Sequence, residues 1–269
     1  MTFNKNRHEF SHLSKAFTLV ELLIVVSVIA LLASMVFSSL RGAREGADLS
    51  RRKRDAATSN RLLVCGQGQM MDLDENLYNT VEIGGICWMA ENLKYLPEVS
   101  PSSQGSTSAP HYYVYDYQGT DVSEAKDTTY FEKYGVLYNW PAATEACPPG
   151  TRLPTDEEWH ILESALATGP CDPKRDWDWQ CYPAGTKLSV SDPVFPSWGG
   201  DNSSEFAALP AGDRGVDGLF NSLGGGTSFW TSLQHNNDQS WRRLLFTGNE
   251  TVFRNVNDKD YGFSVRCVR

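Results

Sequence analysis

The sequence has no Cys-x-x-Cys pair, although it contains six cysteines in 269 residues. This absence removes the ligand spacing that zinc ribbons and thioredoxin-like sites use. Histidine is also scarce, with five in the chain, and His111, His160 and His235 have neither metal-ligand nor catalytic-triad spacing. No internal repeat and no carboxylate pair stands out. The sequence therefore predicts no catalytic residue, no metal site and no cofactor.

Positive charge is scarce in most of the chain. The whole chain carries −9, and because residues 1–16 and 17–60 carry +2 each, residues 61–269 carry −13. An acidic domain lacks the basic surface that nucleic-acid binding needs, so we expect no nucleic acid among the partners. This domain is long enough to form one hydrophobic core of its own.

There is one long apolar run, and it holds a single charge. Residues 17–40 contain one charged side chain, Glu21, and a helix of that length rises about 36 Å, enough to cross a hydrocarbon core of about 30 Å. A carboxylate inside such a span costs about 2.5–3.5 kcal/mol and usually has a function. A signal anchor or a cleavable signal peptide is the alternative interpretation, but a signal peptide normally has a shorter apolar core.

Residues 15–37, KAFTLVELLIVVSVIALLASMVF, resemble the N-terminal segment of type IV pilins and type II secretion pseudopilins. The resemblance implies cleavage by a prepilin peptidase after Ala16 and methylation of the new N-terminal amine of Phe17. It also implies that Glu21 pairs with the Phe17 amine of a neighbouring pilin-like subunit during filament assembly. The precursor would sit in the bacterial inner membrane. The assembled protein would belong to a periplasm-spanning or cell-surface filament, with the globular domain extracytoplasmic.

The basic residues alone would give the opposite orientation. Three precede the apolar run and six follow it within residues 41–54, so the positive-inside rule would place the large domain in the cytoplasm. We give more weight to the pilin-like segment and to the cysteines, which favour an oxidising compartment. The basic cluster at residues 51–54 is either a solvated helix face or a contact to anionic headgroups or acidic neighbouring subunits.

Local patterns predict an α+β fold. We expect a leader at residues 1–16, a transmembrane and stalk helix over 17–60, and a globular domain over 61–269. Alternation over residues 78–88 predicts a β-hairpin that turns at Gly84-Gly85, and the Ser- and Pro-rich residues 97–110 predict a surface loop.

Three further elements are expected in the globular domain. Residues 111–117 alternate as a strand with Tyr113, Tyr115 and Tyr117 on one face, which is either core or an aromatic platform. Residues 141–146 can form a short helix. A second short helix starts at Thr155, with Glu158 completing a capping box. The rest is short strands and long loops.

All six cysteines lie in residues 61–269. An even number in an exported domain favours disulfides, but spacing alone leaves the connectivity open. Full pairing is one alternative, and two reduced, buried cysteines are the other.

Nearly all of residues 72–269 resembles the domain family named for its many paralogues in Fibrobacter succinogenes. The matching segments are VEIG at 81–84, WMAENL at 88–93, YGVLYNW at 134–140, CPPG at 147–150, LPT at 153–155, EW at 158–159, FAALPAG at 206–212, FWTS at 229–232 and GFSVRCV at 262–268. That family is similar to the C-type-lectin-like fold, shared with formylglycine-generating sulfatase-modifying proteins. The resemblance implies a disulfide-linked C-type-lectin-like domain.

The same resemblance implies a disulfide between Cys147 and Cys267, which hold the positions of a bridge in C-type lectins. Cys171 and Cys181 flank a short loop and form the expected second pair. Cys65 and Cys87 then remain as the third, which is the least determined of the three.

Two groups are candidate ligand-binding residues. Trp177 and Trp179 lie in the loop DPKRDWDWQ with three aspartates, and form either a sugar-stacking patch or packing for a disulfide-tied loop. A second group follows where C-type lectins carry their binding loop: Trp198, Asp201, Asn202 and Glu205. The calcium-coordinating signature of those lectins is absent there. Asp72, Asp74 and Asn76 have calcium-like spacing but no EF-hand pattern, so we expect a polar turn.

Three functions follow from these patterns. The first is a minor or tip pilin-like subunit that displays a lectin-like head for adhesion to polysaccharide or another surface ligand. The second is a type II secretion pseudopilin that recruits secreted substrates. The third is an enzyme like the sulfatase-modifying proteins, which need a pair of active-site cysteines near the C-terminus, where this chain has only Cys267. We therefore expect no enzyme.

Overall fold

The computed structural model describes residues 18–269, so Ala16 and Phe17 lie outside the described residues. The chain divides into two compact units, Met1–Arg51 and Arg52–Arg269. The second unit includes the last turns of the first helix, from Arg52 on, together with the globular domain.

Helix α1 spans Leu19–Leu62, in agreement with the predicted long helix. At its N-terminal end the Thr18 backbone N–H and hydroxyl both donate to Glu21 Oε2, at 2.9 and 2.8 Å. The large apolar side chains from Leu19 to Leu40 are exposed. By length and composition this helix can cross a membrane, and its exposed apolar surface requires lipid or other apolar helices around it.

The C-terminal turns of α1 belong to the second unit. Asn60 is fully buried, and its side-chain amide donates to the carbonyls of Met71 and Pro149 at 3.0 and 2.9 Å. The Arg269 guanidinium donates to the Arg61 carbonyl at 2.9 Å, which satisfies a carbonyl at the helix end that lacks an intrahelical partner. Three separate parts of the globular domain, at Met71, Pro149 and Arg269, thus bind the last residues of α1.

The head, residues 61–269, contains short helices and strands. The helices are α2 Val122–Lys126, α3 Thr129–Tyr134, α4 Trp140–Glu145, α5 Asp156–Leu166 and α6 Ala184–Leu188, with a 3₁₀ turn at Pro196–Trp198. The strands are β1 Gln69–Met71, β2 Leu77–Ile83, β3 Ile86–Met89, β4 Tyr112–Tyr113, β5 Leu137–Tyr138, β6 Asp178–Gln180, β7 Ala211–Arg214, β8 Phe220–Leu223, β9 Gly226–Gln234, β10 Gln239–Phe246 and β11 Val252–Asp258. The α+β class is confirmed, although the head has more short helices than the two predicted.

The strands form three sheets. Their orders are β1-β2-β3, β4-β5 and β6-β11-β10-β9-β7-β8. In the six-stranded sheet β7 and β9 run parallel and the other neighbours run antiparallel. The predicted hairpin is β2-β3, and Gly84 and Gly85 form its turn with φ of 64° and 75°, values that glycine adopts without steric cost.

Both predicted short helices are present. Helix α5 has Thr155 as its N-cap, and the full capping box with Glu158 is formed. Its buried side includes Trp159 and Leu162, and Trp159 packs edge-to-face on Trp88 at 5.0 Å between ring centroids. Trp159 also packs on Phe229 of β9 at 5.4 Å between ring centroids, so this helix covers part of the core beneath the large sheet.

The predicted strand over residues 111–117 is wrong beyond its first residues. Only Tyr112–Tyr113 pairs as a strand, because the chain turns at Val114–Tyr117, where the Tyr117 N–H donates to the Val114 carbonyl at 3.0 Å. Tyr113 is fully buried, so the core interpretation holds for it rather than an exposed aromatic platform.

All six cysteines are paired. The structure contains Cys65–Cys87, Cys147–Cys267 and Cys171–Cys181, and leaves no free cysteine among residues 18–269. The Cys147–Cys267 bridge spans 120 residues of chain and the Cys171–Cys181 bridge spans 10. Full pairing is therefore the alternative that the structure contains, and two reduced cysteines are not present.

Candidate functional site

The loop between Cys171 and Cys181 ends in β6, the edge strand of the large sheet. Strand β6 pairs with β11, so that Trp179 lies opposite Phe253 and Gln180 opposite Val252. Because directly opposed residues project to the same face of an antiparallel pair, the strand register brings Trp179 beside Phe253.

Three aromatic side chains form the platform, defined here as Trp177, Trp179 and Phe253. The Trp179 and Phe253 rings lie 4.9 Å apart with an interplanar angle of 32°. The Trp177 ring packs edge-on to Phe253 at 6.4 Å and is 63% exposed. Trp177 also has a φ of 52°, a left-handed conformation that a bulky side chain adopts only when its surroundings impose it. The fold thus keeps the large apolar ring of Trp177 exposed to solvent.

A buried ion network fixes the base of this loop. The Arg175 guanidinium pairs with Glu163 on α5, and both side chains are almost completely buried. Glu163 also accepts a hydrogen bond from Arg243 Nε at 2.5 Å. Two buried cations therefore share one buried carboxylate, which helps to compensate the desolvation of the three charged groups.

Asp156 extends the same network. Its carboxylate contacts Arg243 Nη1 at 2.6 Å and Arg254 Nη2 at 2.9 Å. Burial by itself raises the pKa of Asp156, but the two guanidinium groups outweigh burial and lower the pKa below its usual value. Since Arg254 lies opposite Asp178 in the β11–β6 pairing, the network links helix α5, strands β10 and β11, and the loop into one rigid support.

The loop aspartates are engaged locally. Asp172 accepts the Lys174 N–H, and Asp178 accepts the Trp179 N–H, each at 2.8 Å. These contacts are those of turn-stabilising carboxylates. Asp172 and Asp178 are therefore engaged by contacts within the loop itself.

One group in the described part of the chain has metal-ligand spacing: His160, Glu163 and Cys171. It does not suit a metal, because Cys171 is disulfide-bonded and therefore has no thiolate to offer. Glu163 is already bound by two arginines.

Residues 81–269 match the family model described as the Fibrobacter succinogenes major domain. The chain belongs to this family. Residues 12–37 match the prokaryotic N-terminal methylation motif, so this Fibrobacter major domain is carried by a type IV pilin-like or pseudopilin protein. No curated protein and no solved structure matches the chain. The C-type-lectin-like fold therefore stays a prediction.

The methylation motif indicates the role and the assembly partners of this Fibrobacter major domain protein. It is the motif of a structural subunit rather than of an enzyme, and it implies a prepilin-peptidase substrate that assembles with other pilin subunits. The motif and the apolar helix together fit membrane anchoring with an extracytoplasmic globular domain.

The second predicted binding group is only partly exposed in this Fibrobacter major domain. Trp198 is 5% exposed, and its ring N–H donates to the Ala208 carbonyl at 3.2 Å. Trp198 thus packs in the core, at the end of the 3₁₀ turn, and presents little surface to a ligand. Asp201 and Glu205 are exposed, while Asn202 Oδ1 accepts the Ala207 N–H at 2.8 Å and shapes the turn.

The Asp72 motif forms a polar turn. Asp72 Oδ1 accepts the N–H groups of Asp74 and Asn76 at 2.8 and 3.0 Å, and its other oxygen accepts the Tyr78 hydroxyl at 2.5 Å. These contacts form a polar turn. The other carboxylate, Asp74, reaches outside it, because Asp74 Oδ2 accepts the Leu96 N–H at 3.0 Å and pairs with Lys126 Nζ at 2.9 Å.

Proposed function

We propose that this protein is a minor or tip subunit of a type IV pilus or related filament, and that its lectin-like head binds a polysaccharide or another surface ligand. The observation that supports the proposal is the platform: Trp177 is exposed while the loop that carries it is closed by a disulfide and tied by Arg175 to a buried carboxylate. A rigid, solvent-exposed aromatic ring can stack on sugar rings at little entropic cost.

The assembly route is tested at the mature N-terminus. We expect mass spectrometry of filaments or membranes from the native host to find residues 1–16 removed and Phe17 N-methylated. The buried charge of Glu21 then has a cationic amine to pair with in a neighbouring subunit. An intact leader, or cleavage after the apolar run, would contradict the filament proposal.

The adhesive role is tested on the full-length protein in detergent. We expect the wild type to bind a subset of a printed glycan array, and Trp177→Ala/Trp179→Ala to lose at least tenfold of that signal because the stacking surface is gone. Tyr182→Ala is the matched control, since Tyr182 is an aromatic residue that is 50% exposed next to the loop. Equal binding by the tryptophan variant and the wild type would refute the platform as the ligand site.

A pseudopilin of a type II secretion system is the second candidate, because the methylation motif is common to both assemblies. Immunodetection at the cell surface separates them: we expect surface filaments that contain the head. Absence of surface filaments together with a secretion defect in the deletion strain would favour the pseudopilin.

A further inference from the structure

Of the two residues in the Cys171–Cys181 disulfide, only Cys171 is accessible to solvent. Cys171 is half-buried, whereas Cys181 has no exposed surface. Thiol–disulfide exchange requires direct attack of a thiolate on one sulfur. An external thiol can therefore attack Cys171 and cannot reach Cys181.

After reduction, the groups next to Cys171 favour a thiolate, and the group next to Cys181 favours a protonated thiol. The Ser164 hydroxyl donates to Cys171 Sγ at 3.5 Å, and His160 Nδ1 lies 3.9 Å from the same sulfur. A donor and an imidazole beside a sulfur stabilise its thiolate. Cys181 Sγ lies 3.4 Å from Glu163 Oε2, a carboxylate that can accept the S–H bond of a protonated thiol.

We propose that this bridge is a redox latch on the platform, opened by a dithiol reductant that attacks at Cys171. The inference rests on the proposed ligand-binding function of the platform. It adds a regulatory step to that site: the oxidised form holds the tryptophans in place, and the reduced form releases them.

The exchange proceeds in two steps. A thiolate of the dithiol attacks Cys171 Sγ, the Cys171–Cys181 bond breaks, and its electron pair goes to Cys181, which takes up a proton and donates to Glu163. The second sulfur of the dithiol then attacks the mixed disulfide and releases Cys171 as a thiolate beside His160. The dithiol leaves as a cyclic disulfide, having passed two electrons to the protein.

Opening the disulfide loosens the loop without unfolding the head. The two cysteines of this disulfide are only 10 residues apart in sequence. The other two disulfides join residues that are 22 and 120 positions apart. Once the disulfide is open, Arg175 stays fixed in the buried network, and the segment after it, with Trp177 and Trp179, is held by the three-residue edge strand β6. Short edge strands are held weakly.

The chemistry is tested by graded reduction of the native full-length protein with dithiothreitol, followed by alkylation and peptide mass spectrometry. We expect Cys171 and Cys181 to be labelled at least tenfold faster than the other four cysteines, and glutathione to be trapped on Cys171. We expect His160→Gln to slow the reduction several-fold, while His235→Gln, a change at an exposed histidine, leaves it unchanged. Simultaneous opening of all three bridges, or glutathione on Cys181, overturns the latch.

The gating is tested by tryptophan fluorescence and glycan binding of both redox forms. We expect reduction to change the fluorescence, the change to vanish in Trp177→Phe/Trp179→Phe, and glycan binding to fall at least fivefold. Selective reduction without a fluorescence change overturns the latch even if the oxidised protein binds glycans. A fluorescence change in a protein whose oxidised form binds no glycan refutes the adhesive function, and supports the latch as a conformational switch.

Discussion

Asp156 shows at the scale of one residue how burial and charge pairing oppose each other. Burial raises the pKa of its carboxyl, and Arg243 and Arg254 reverse that effect and lower the pKa. A folded-state pKa below the unfolded value means that the carboxylate stabilises the fold fully above its unfolded pKa. That contribution is lost as the pH falls through the folded pKa.

Removing this carboxylate should be costly, because two buried guanidinium groups would lose their anion. We expect Asp156→Asn to lower the free energy of unfolding by about 3–5 kcal/mol at neutral pH, measured by urea unfolding of the full-length protein. The difference from the wild type should be constant at neutral pH and shrink below about pH 4, near the ordinary pKa of an aspartate. Glu157→Gln, a change at the exposed neighbour, should stay within about 0.5 kcal/mol. A pH-independent difference would contradict the pKa argument.

Elements whose signals are local could be predicted from sequence. The Gly84-Gly85 turn and the Thr155–Glu158 capping box are each determined by residues a few positions apart, and both are present. The predicted strand at residues 111–117 failed because alternation alone cannot reveal that the chain turns after Tyr113. Period and capping define where an element starts more reliably than how far it extends.

The platform depends on pairing between elements, and that part was not visible in the sequence. The sequence singles out Trp177 and Trp179 as two tryptophans in a cysteine-flanked loop, but it gives no sign that Phe253 belongs with them. Phe253 joins them only through the β6–β11 register, more than seventy residues along the chain. Trp198 shows the complementary case, since its residue type gives no indication that it lies in the core. Side-chain exposure is set by tertiary packing, which one sequence does not specify.

At the scale of the whole molecule, the two family motifs divide the chain by physical role. The described part of the methylation motif, from residue 19 on, lies in a helix whose apolar surface is exposed. The Fibrobacter major domain carries its own core, sheets and disulfides. Both were predicted because each covers many residues of a specific pattern. The buried network of Arg175, Arg243 and Arg254 could not be predicted, since its members lie on separate elements and resemble exposed charges in sequence.

The disulfides should contribute to stability according to the length of chain that each closes. In the chain-entropy model, a bridge spanning 120 residues constrains the unfolded state more than one spanning 10, by about 2 kcal/mol. We therefore expect Cys147→Ser/Cys267→Ser to lower the free energy of unfolding by about 2 kcal/mol more than Cys171→Ser/Cys181→Ser, measured by urea unfolding under non-reducing conditions. The second variant should keep a cooperative transition, because the core beneath the large sheet remains intact. An equal or larger loss from the short bridge would show that the loop supports the core through packing, and that the head cannot open there while staying folded.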